Sequence, residues 1–266
     1  MYLHISKNFT LAIILFAILS PAHAAVINLD PLQAGVYTGG DGALSRWVQV
    51  TDDWNGIWGV EQLADQKKVM DLSPGDPGIL RTLETKVSTI NFSDDVYREK
   101  WANDPAWSQF VTQPVPLFLS TDLNQNDYAA RFTGYIAITT PGEYNFGVLS
   151  DEGFQFTLIG ANGSYSSQLD SLNPRTLVGF DSNFAMQAGV YQFTLDTYEH
   201  TQAGVISLNW WHGPGASEFS LVPQTSLFST IPPVPEPQEW LLFAAGLLTL
   251  AWYFRKNKVA SPVAAT

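Results

Sequence analysis

Two histidines, His200 and His212, are the whole imidazole supply beyond the first 24 residues, and the chain of 266 residues has no cysteine. Nucleophile–base chemistry therefore has little to draw on. There is no H-E-x-x-H, no phosphate loop, no G-x-S-x-G elbow and no EF-hand loop. Glycoside hydrolysis needs only two carboxylates at a suitable separation, but the one pair that stands out is adjacent, Asp151-Glu152. Adjacent carboxylates in a turn suit a hard cation, because calcium takes several oxygen ligands from loops. The alternative is a polar turn between two core strands, with Gly153 supplying the special backbone geometry. No enzymatic activity is expected.

Strands must position that pair. Tyr128, Ala130, Phe132, Gly134, Ile136 and Ile138 share one parity, so they share one face of a strand. Pro141-Gly142 interrupts the run, and Tyr144, Phe146 and Val148 restart it. Ser150-Asp151-Glu152-Gly153 interrupts it again, and Phe154, Phe156 and Leu158 resume. The pattern predicts a three-stranded antiparallel meander. Val190 to Tyr198 and Val205 to Trp211 alternate as well, which predicts a second hairpin closed by the loop Glu199 to Gly204. Ala161 to Asn173 reads as a Ser- and Asn-rich loop, and one short helix is expected between Ile57 and Met70. The fold class is all-β: a single β-sandwich or barrel, its core face including Phe132, Ile136, Tyr144, Phe146, Phe156, Leu158, Phe193, Leu195, Leu208 and Trp210.

The wording of these strands carries more than their period. Phe132-Thr133-Gly134, Gly142-Glu143-Tyr144-Asn145-Phe146, Ser150-Asp151-Glu152-Gly153 and the later strands Ala188 to Tyr191 and Gly204 to Trp210 resemble, in combination, the protective-antigen domain family. The family is named for an anthrax toxin component and occurs also in bacterial glycosidases and yeast flocculins. The resemblance runs from about Asp127 to Gly215 and implies a β domain of the protective-antigen type. In the family's sugar-binding branch two consecutive Asp residues, often joined by a cis peptide, bind a calcium ion that coordinates sugar hydroxyls. The resemblance thus implies calcium at Asp151 and Glu152, with Glu152 one methylene longer than the family's second Asp. A second calcium loop is implied at Glu199 to Gly204. There Glu199 and His200 stand where an Asn ligand is expected, and the carbonyls of Thr201 and Ala203 are further candidate donors.

The two ends are of different material. Lys7 precedes an apolar run from Phe9 to Leu19, and Ala22-His23-Ala24 is a small-x-small cleavage site, so residues 1–24 read as a signal peptide cut by signal peptidase. Residues 25–34 form an N-terminal segment and 35–228 the β domain. Pro232, Pro233, Pro235 and Pro237 stiffen the linker 229–239. Trp240 to Phe254 is an apolar run of 15 residues, read as a single transmembrane helix although its ~22 Å is short for a span. Arg255, Lys256 and Lys258 open the basic tail 255–266. Val234-Pro235-Glu236-Pro237, the apolar run and the basic cluster together resemble the PEP-CTERM sorting signal. That resemblance implies an exosortase partner, an inner-membrane precursor, and a surface or extracellular product in a Gram-negative bacterium that makes exopolysaccharide.

With 25 acidic against 13 basic residues and a net charge of −12, the surface repels nucleic acid. Three functions stay open: a surface glycan-binding or adhesion module, a structural component of the envelope or biofilm matrix, and an enzyme.

Overall fold

The computed structural model describes residues 25–56, 58–101, 112–119, 122, 124–172, 176–213, 218–233 and 239–258. The signal peptide with Ala22 and Ala24, the sorting residues Val234 to Pro237 and the tail beyond residue 258 lie outside the described residues.

Two eight-stranded sheets face each other across one main core. The first runs in the order β1 (Val26–Leu29), β12 (Asn183–Met186), β8 (Gly142–Asp151), β14 (Val205–His212), β5 (Asn91–Ser93) and β6 (Gln113–Pro114), with β11 (Thr176–Gly179) on β8 and β15 (Ser220–Leu221) on β14. The second runs β10 (Gly163–Leu169), β9 (Gly153–Gly160), β13 (Gly189–Glu199), β7 (Tyr128–Ile138), β3 (Ala43–Val50) and β4 (Ile79–Val87). In it β16 (Leu227–Phe228) adds to β7, and β2 (Gln33–Ala34) to β13. The segment 25–34 is therefore woven into both sheets: β1 pairs in parallel with β12, and β2 pairs with β13. Two short helices, α1 (Leu63–Met70) and α2 (Asp95–Trp101), lie between strands, and α3 (Glu239–Lys258) follows the sheets.

Alternation put the right residues inside. Nine of the ten expected core residues are buried, and Trp210 is half-buried against the same cluster. Trp47 is the hinge of that core. Its ring meets Phe132 and Phe92 edge-on, at 5.2 and 5.4 Å between centroids, and its indole N–H donates to Ser45 Oγ at 2.9 Å. An aromatic this large contributes through area and through edge-to-face geometry at once, and its polar handle is satisfied.

Partnership was another matter. β7, β8 and β9 form no meander: β8 lies in one sheet while β7 and β9 lie in the other, both paired to β13. The expected second hairpin is likewise absent, since β13 and β14 belong to opposite sheets. Period two says which side chains face inward and leaves the neighbour undetermined, because strands in either sheet of a sandwich point their apolar face to the same core. The span 161–173, expected as loop, holds β10, hydrogen-bonded to β9 from Gly163↔Gly160 to Leu169↔Phe154. Its small polar residues sit on an edge strand whose exposure alternates, and the lack of apolar residues hid the period.

The transmembrane expectation also changes. Among the described residues no helix is long and apolar enough to cross a membrane. α3 has 20 residues, but Glu239, Arg255, Lys256 and Lys258 are among them. The apolar stretch that remains falls well short of a ~30 Å hydrocarbon layer.

Candidate functional site

Two of the crossings between sheets, β8 to β9 and β13 to β14, lie side by side at one end of the sandwich. Asp151 ends β8 opposite Val205, and Gly153 begins β9 opposite Tyr198. Glu152 alone turns the corner between the sheets, and the Asp151–Glu152 peptide bond is cis. The next crossing lies beside it. Glu199 ends β13 opposite Tyr128, residues 200–204 pass over, and Val205 begins β14. Gly153 is required for space: a Cβ there would stand 2.3 Å from the Tyr198 ring, while its backbone lies outside the left-handed region. The special backbone geometry expected at Gly153 is therefore not what the turn uses.

Carboxylates crowd this end. Glu152 is 1% exposed, and Glu199 is 1% exposed with both carboxylate oxygens lacking a hydrogen-bond partner. Oε2 of Glu152 lacks one too. Burial pushes Glu199 well above the usual carboxylate range, and the charges of Glu152, Asp94, Asp151 and Asp127 push it further. Glu152 is raised to about 8, first by burial and then by Asp151, against a hydrogen bond from the Thr201 N–H. Asp94 is raised to about 6, again by burial first, although it accepts from two backbone N–H groups. Desolvation disfavours the charged form, and each carboxylate added nearby disfavours it again.

Two acids fasten the 200–204 crossing. Asp94 caps α2 by accepting from the Tyr97 N–H at 2.7 Å, and its other oxygen accepts from the Gly204 N–H at 2.6 Å. The Asp94 N–H in turn donates to the Gly204 carbonyl at 3.1 Å. Gly204 fits because it has no side chain: a Cβ would stand 2.4 Å from the Tyr128 hydroxyl and 3.0 Å from Glu199 Oε2. Asp127 bonds His200 Nδ1 through Oδ1 at 2.8 Å, and the same oxygen accepts from the Val60 N–H at 3.2 Å. The Asp127 N–H donates to the His200 carbonyl at 3.1 Å.

Of the residues singled out in the sequence, Asp151, Glu152, Glu199 and His200 thus meet at one end of the sandwich, while His212 ends β14 against Tyr144 and Trp210, away from them. Sequence reasoning missed Asp94, Asp127 and Trp58. Asp94 carried a readable signal, an acid directly before a short helix, but α2 itself was not foreseen. Trp58 is 61% exposed, and its ring centroid lies 6.4 Å from that of His200.

A calcium ion asks for hard oxygen donors, and the buried carboxylate oxygens without partners have that chemistry. Among the described residues no three His, Asp or Glu side chains converge closely enough to hold an ion by themselves. Such a site would need backbone carbonyls beside the acid pair. Two surface clefts, of about 340 Å³ beside Tyr165 and Phe180 and about 430 Å³ beside Arg46 and Arg131, lie on other residues and do not include the pair.

No protein-family model matches the chain, and no curated protein matches it. Solved structures do. The chain is similar to the PA14 domain of the MpAFP antifreeze protein, with 17% identity over 74% of this chain and 95% of that one, at a TM-score of 0.49. It is similar to the PA14 sugar-binding domain of an RTX adhesin, with 16% identity over 73% of this chain and 100% of that one, at 0.47. It is also similar to the Epithelial Adhesin 6 A domain of Candida glabrata, crystallised with Galb1-3GlcNAc, with 14% identity over 78% and 94%, at 0.49. Scores of this size leave ligand and site to be judged from the chain's own residues.

Proposed function

We propose that this is an exported surface protein whose two-sheet domain is a carbohydrate-binding or adhesion module, with calcium at the Asp151–Glu152 corner. The observation that carries the proposal is the Glu199 carboxylate: sealed from solvent, with neither oxygen partnered, and surrounded by Glu152, Asp94, Asp151 and Asp127. Buried charge without compensation is costly. A cation bound at the corner offsets the repulsion that protons would otherwise have to relieve. Asp151 and Glu152 would hold it. The His200 and Gly204 carbonyls are already engaged by Asp127 and Asp94, so carbonyls of the 201–203 stretch are the candidates to complete the shell. A calcium ion so held supplies a charge to which sugar hydroxyls coordinate. The protein's own part is to fix the 200–204 crossing at both ends, through Asp94 and through the Asp127–His200 bond, so that its oxygen donors are preorganised beside the acid pair.

Titration calorimetry of the soluble body tests this. Calcium is expected to bind in the millimolar-to-micromolar range and to raise the melting temperature, and Asp151→Ala to abolish both. An unchanged response in that variant leaves the corner as a polar turn, and the domain as a structural part of the envelope or matrix.

Export and sorting belong to the same proposal. The support is in the sequence: the apolar leader with Ala22 and Ala24, and Val234-Pro235-Glu236-Pro237 ahead of α3 and its basic cluster. Replacing Glu236 and Pro237 should leave full-length protein that an exosortase does not cut, read by mass. Normal maturation of that variant removes the sorting reading.

A further inference from the structure

The two sheets hide their aromatic rings well, which makes one exception informative. Among the described residues the exposed large aromatics are Trp58, at 61%, and Trp252, Tyr253 and Phe254 on α3. Among the described residues of the two-sheet body Trp58 is thus the one such ring, and it stands beside His200 at the acidic crossings. The backbone beneath it is closely packed. A Cβ on Gly59 would lie 1.9 Å from Asp127 Oδ1, so the backbone next to Trp58 rests directly on that carboxylate. The Val60 N–H donates to the same oxygen, and His200, which Asp127 holds, supplies the ring on which the indole leans at a 54° tilt. The turn also lies within electrostatic reach of the acid pair, since the charges of Asp127 and Glu61 both act on Glu152.

We infer that Trp58 is the sugar-stacking platform of this site, and that the sugar it accepts is a neutral hexopyranose. The inference rests on the glycan-binding reading above. An exposed indole presents a flat apolar face and has few rotatable bonds to lose entropy from, and the apolar C–H face of a pyranose ring matches it. A ring stacked there lies beside His200, next in sequence to Thr201, whose N–H donates to Glu152. Charge selects against acidic sugars. Asp52 is close enough to act on Asp127, Glu61 acts on Glu152, and Asp53 follows Asp52 in sequence. A uronate approaching that rim meets the acids Asp52, Asp53 and Glu61.

The test uses the purified full-length protein with calcium and four probes: the methyl glycosides of galactose, glucose and mannose, and a galacturonate oligomer. At least one neutral glycoside should bind and alter tryptophan fluorescence, with the galacturonate weaker. Trp58→Ala should weaken that binding roughly tenfold, the size of one aromatic contact, and Trp58→Phe should restore most of it. Calcium stabilisation of the fold should be the same in all three proteins, which separates this idea from the ion site. Undiminished neutral-sugar binding by Trp58→Ala overturns the platform while leaving the glycan reading intact. Tighter binding of galacturonate than of any neutral glycoside overturns the choice of sugar. Wild-type protein that responds to calcium and binds none of the four overturns the glycan reading, and the platform with it.

Discussion

Asp41 and Glu152 are both acids at turns, and the molecule treats them in opposite ways. Asp41 lies just before β3, where Ser229 donates to it from backbone and hydroxyl at 2.8 and 2.7 Å and Lys86 Nζ stands 2.6 Å away. Those donors hold its carboxyl far below the usual range. Glu152 sits at a corner whose neighbours are mostly other carboxylates, and burial with Asp151 drives it up. The first acid is finished by the chain. The second is crowded by its own kind, and carboxylates perturbed in this way mark a candidate functional site.

The contrast is sharpest in pH. A carboxyl raised in the folded state contributes stability that is fully present below its unfolded pKa and lost as pH rises through the folded value. For Glu152 that window runs from the model-peptide value of 4.5 to about 8, and for Asp94 from 3.8 to about 6. In EDTA the melting temperature should therefore drop between pH 5 and pH 8, by a few kcal/mol of stability in order of magnitude, and saturating calcium should flatten the curve. A melting temperature that rises over this interval in EDTA breaks the comparison.

Next in size is the glycine at the second crossing. Gly204→Ala forces a methyl against the Tyr128 hydroxyl and Glu199, and should cost about 1–3 kcal/mol in denaturant unfolding. The same substitution at Gly142, where a Cβ meets nothing within 4 Å, should leave stability nearly unchanged. Equal losses at the two positions would show that the acidic crossing is no tighter than an ordinary turn.

The smallest effect belongs to the finished acid. Asp41→Asn loses an ion pair that is half-exposed on both sides, so under about 1 kcal/mol is expected at neutral pH. A lowered carboxyl contributes stability that is present above its unfolded value of 3.8 and fades as pH falls through the folded one. The difference between wild type and variant should therefore shrink below pH 4. A gap that widens in acid would mean that Asp41 is protonated more easily than its donors imply.

Facing was legible in the sequence because it is a local property. Phe132, Ile136, Phe156 and Leu158 announce their common side by spacing alone, and all four are buried. Pairing was not, because β7 and β9 are joined through β13, a strand some thirty residues further on. The acid pair and the 199–204 loop could be named beforehand. What brings them together could not, since Asp94 and Asp127 act through backbone groups of residues far along the chain. Trp58 escaped for a simpler reason: a single Trp after a turn has no period, and exposure is a property of the assembled surface.

The switching of sheets also bears on how the chain folds. A hairpin forms from neighbours, but β7, β8 and β9 find no partner in one another. β7 and β8 wait for the distant strands β13 and β14, β9 has β10 beside it but still needs β13 on its other edge, and β12 receives β1 from the other end of the domain. Contacts of such high order close large loops before any contact rewards them, so folding is slow and most of the sandwich must assemble together. A peptide cut to residues 127–160, the most regular stretch in the sequence, therefore holds the pattern of three strands without the pairings that would make them stable.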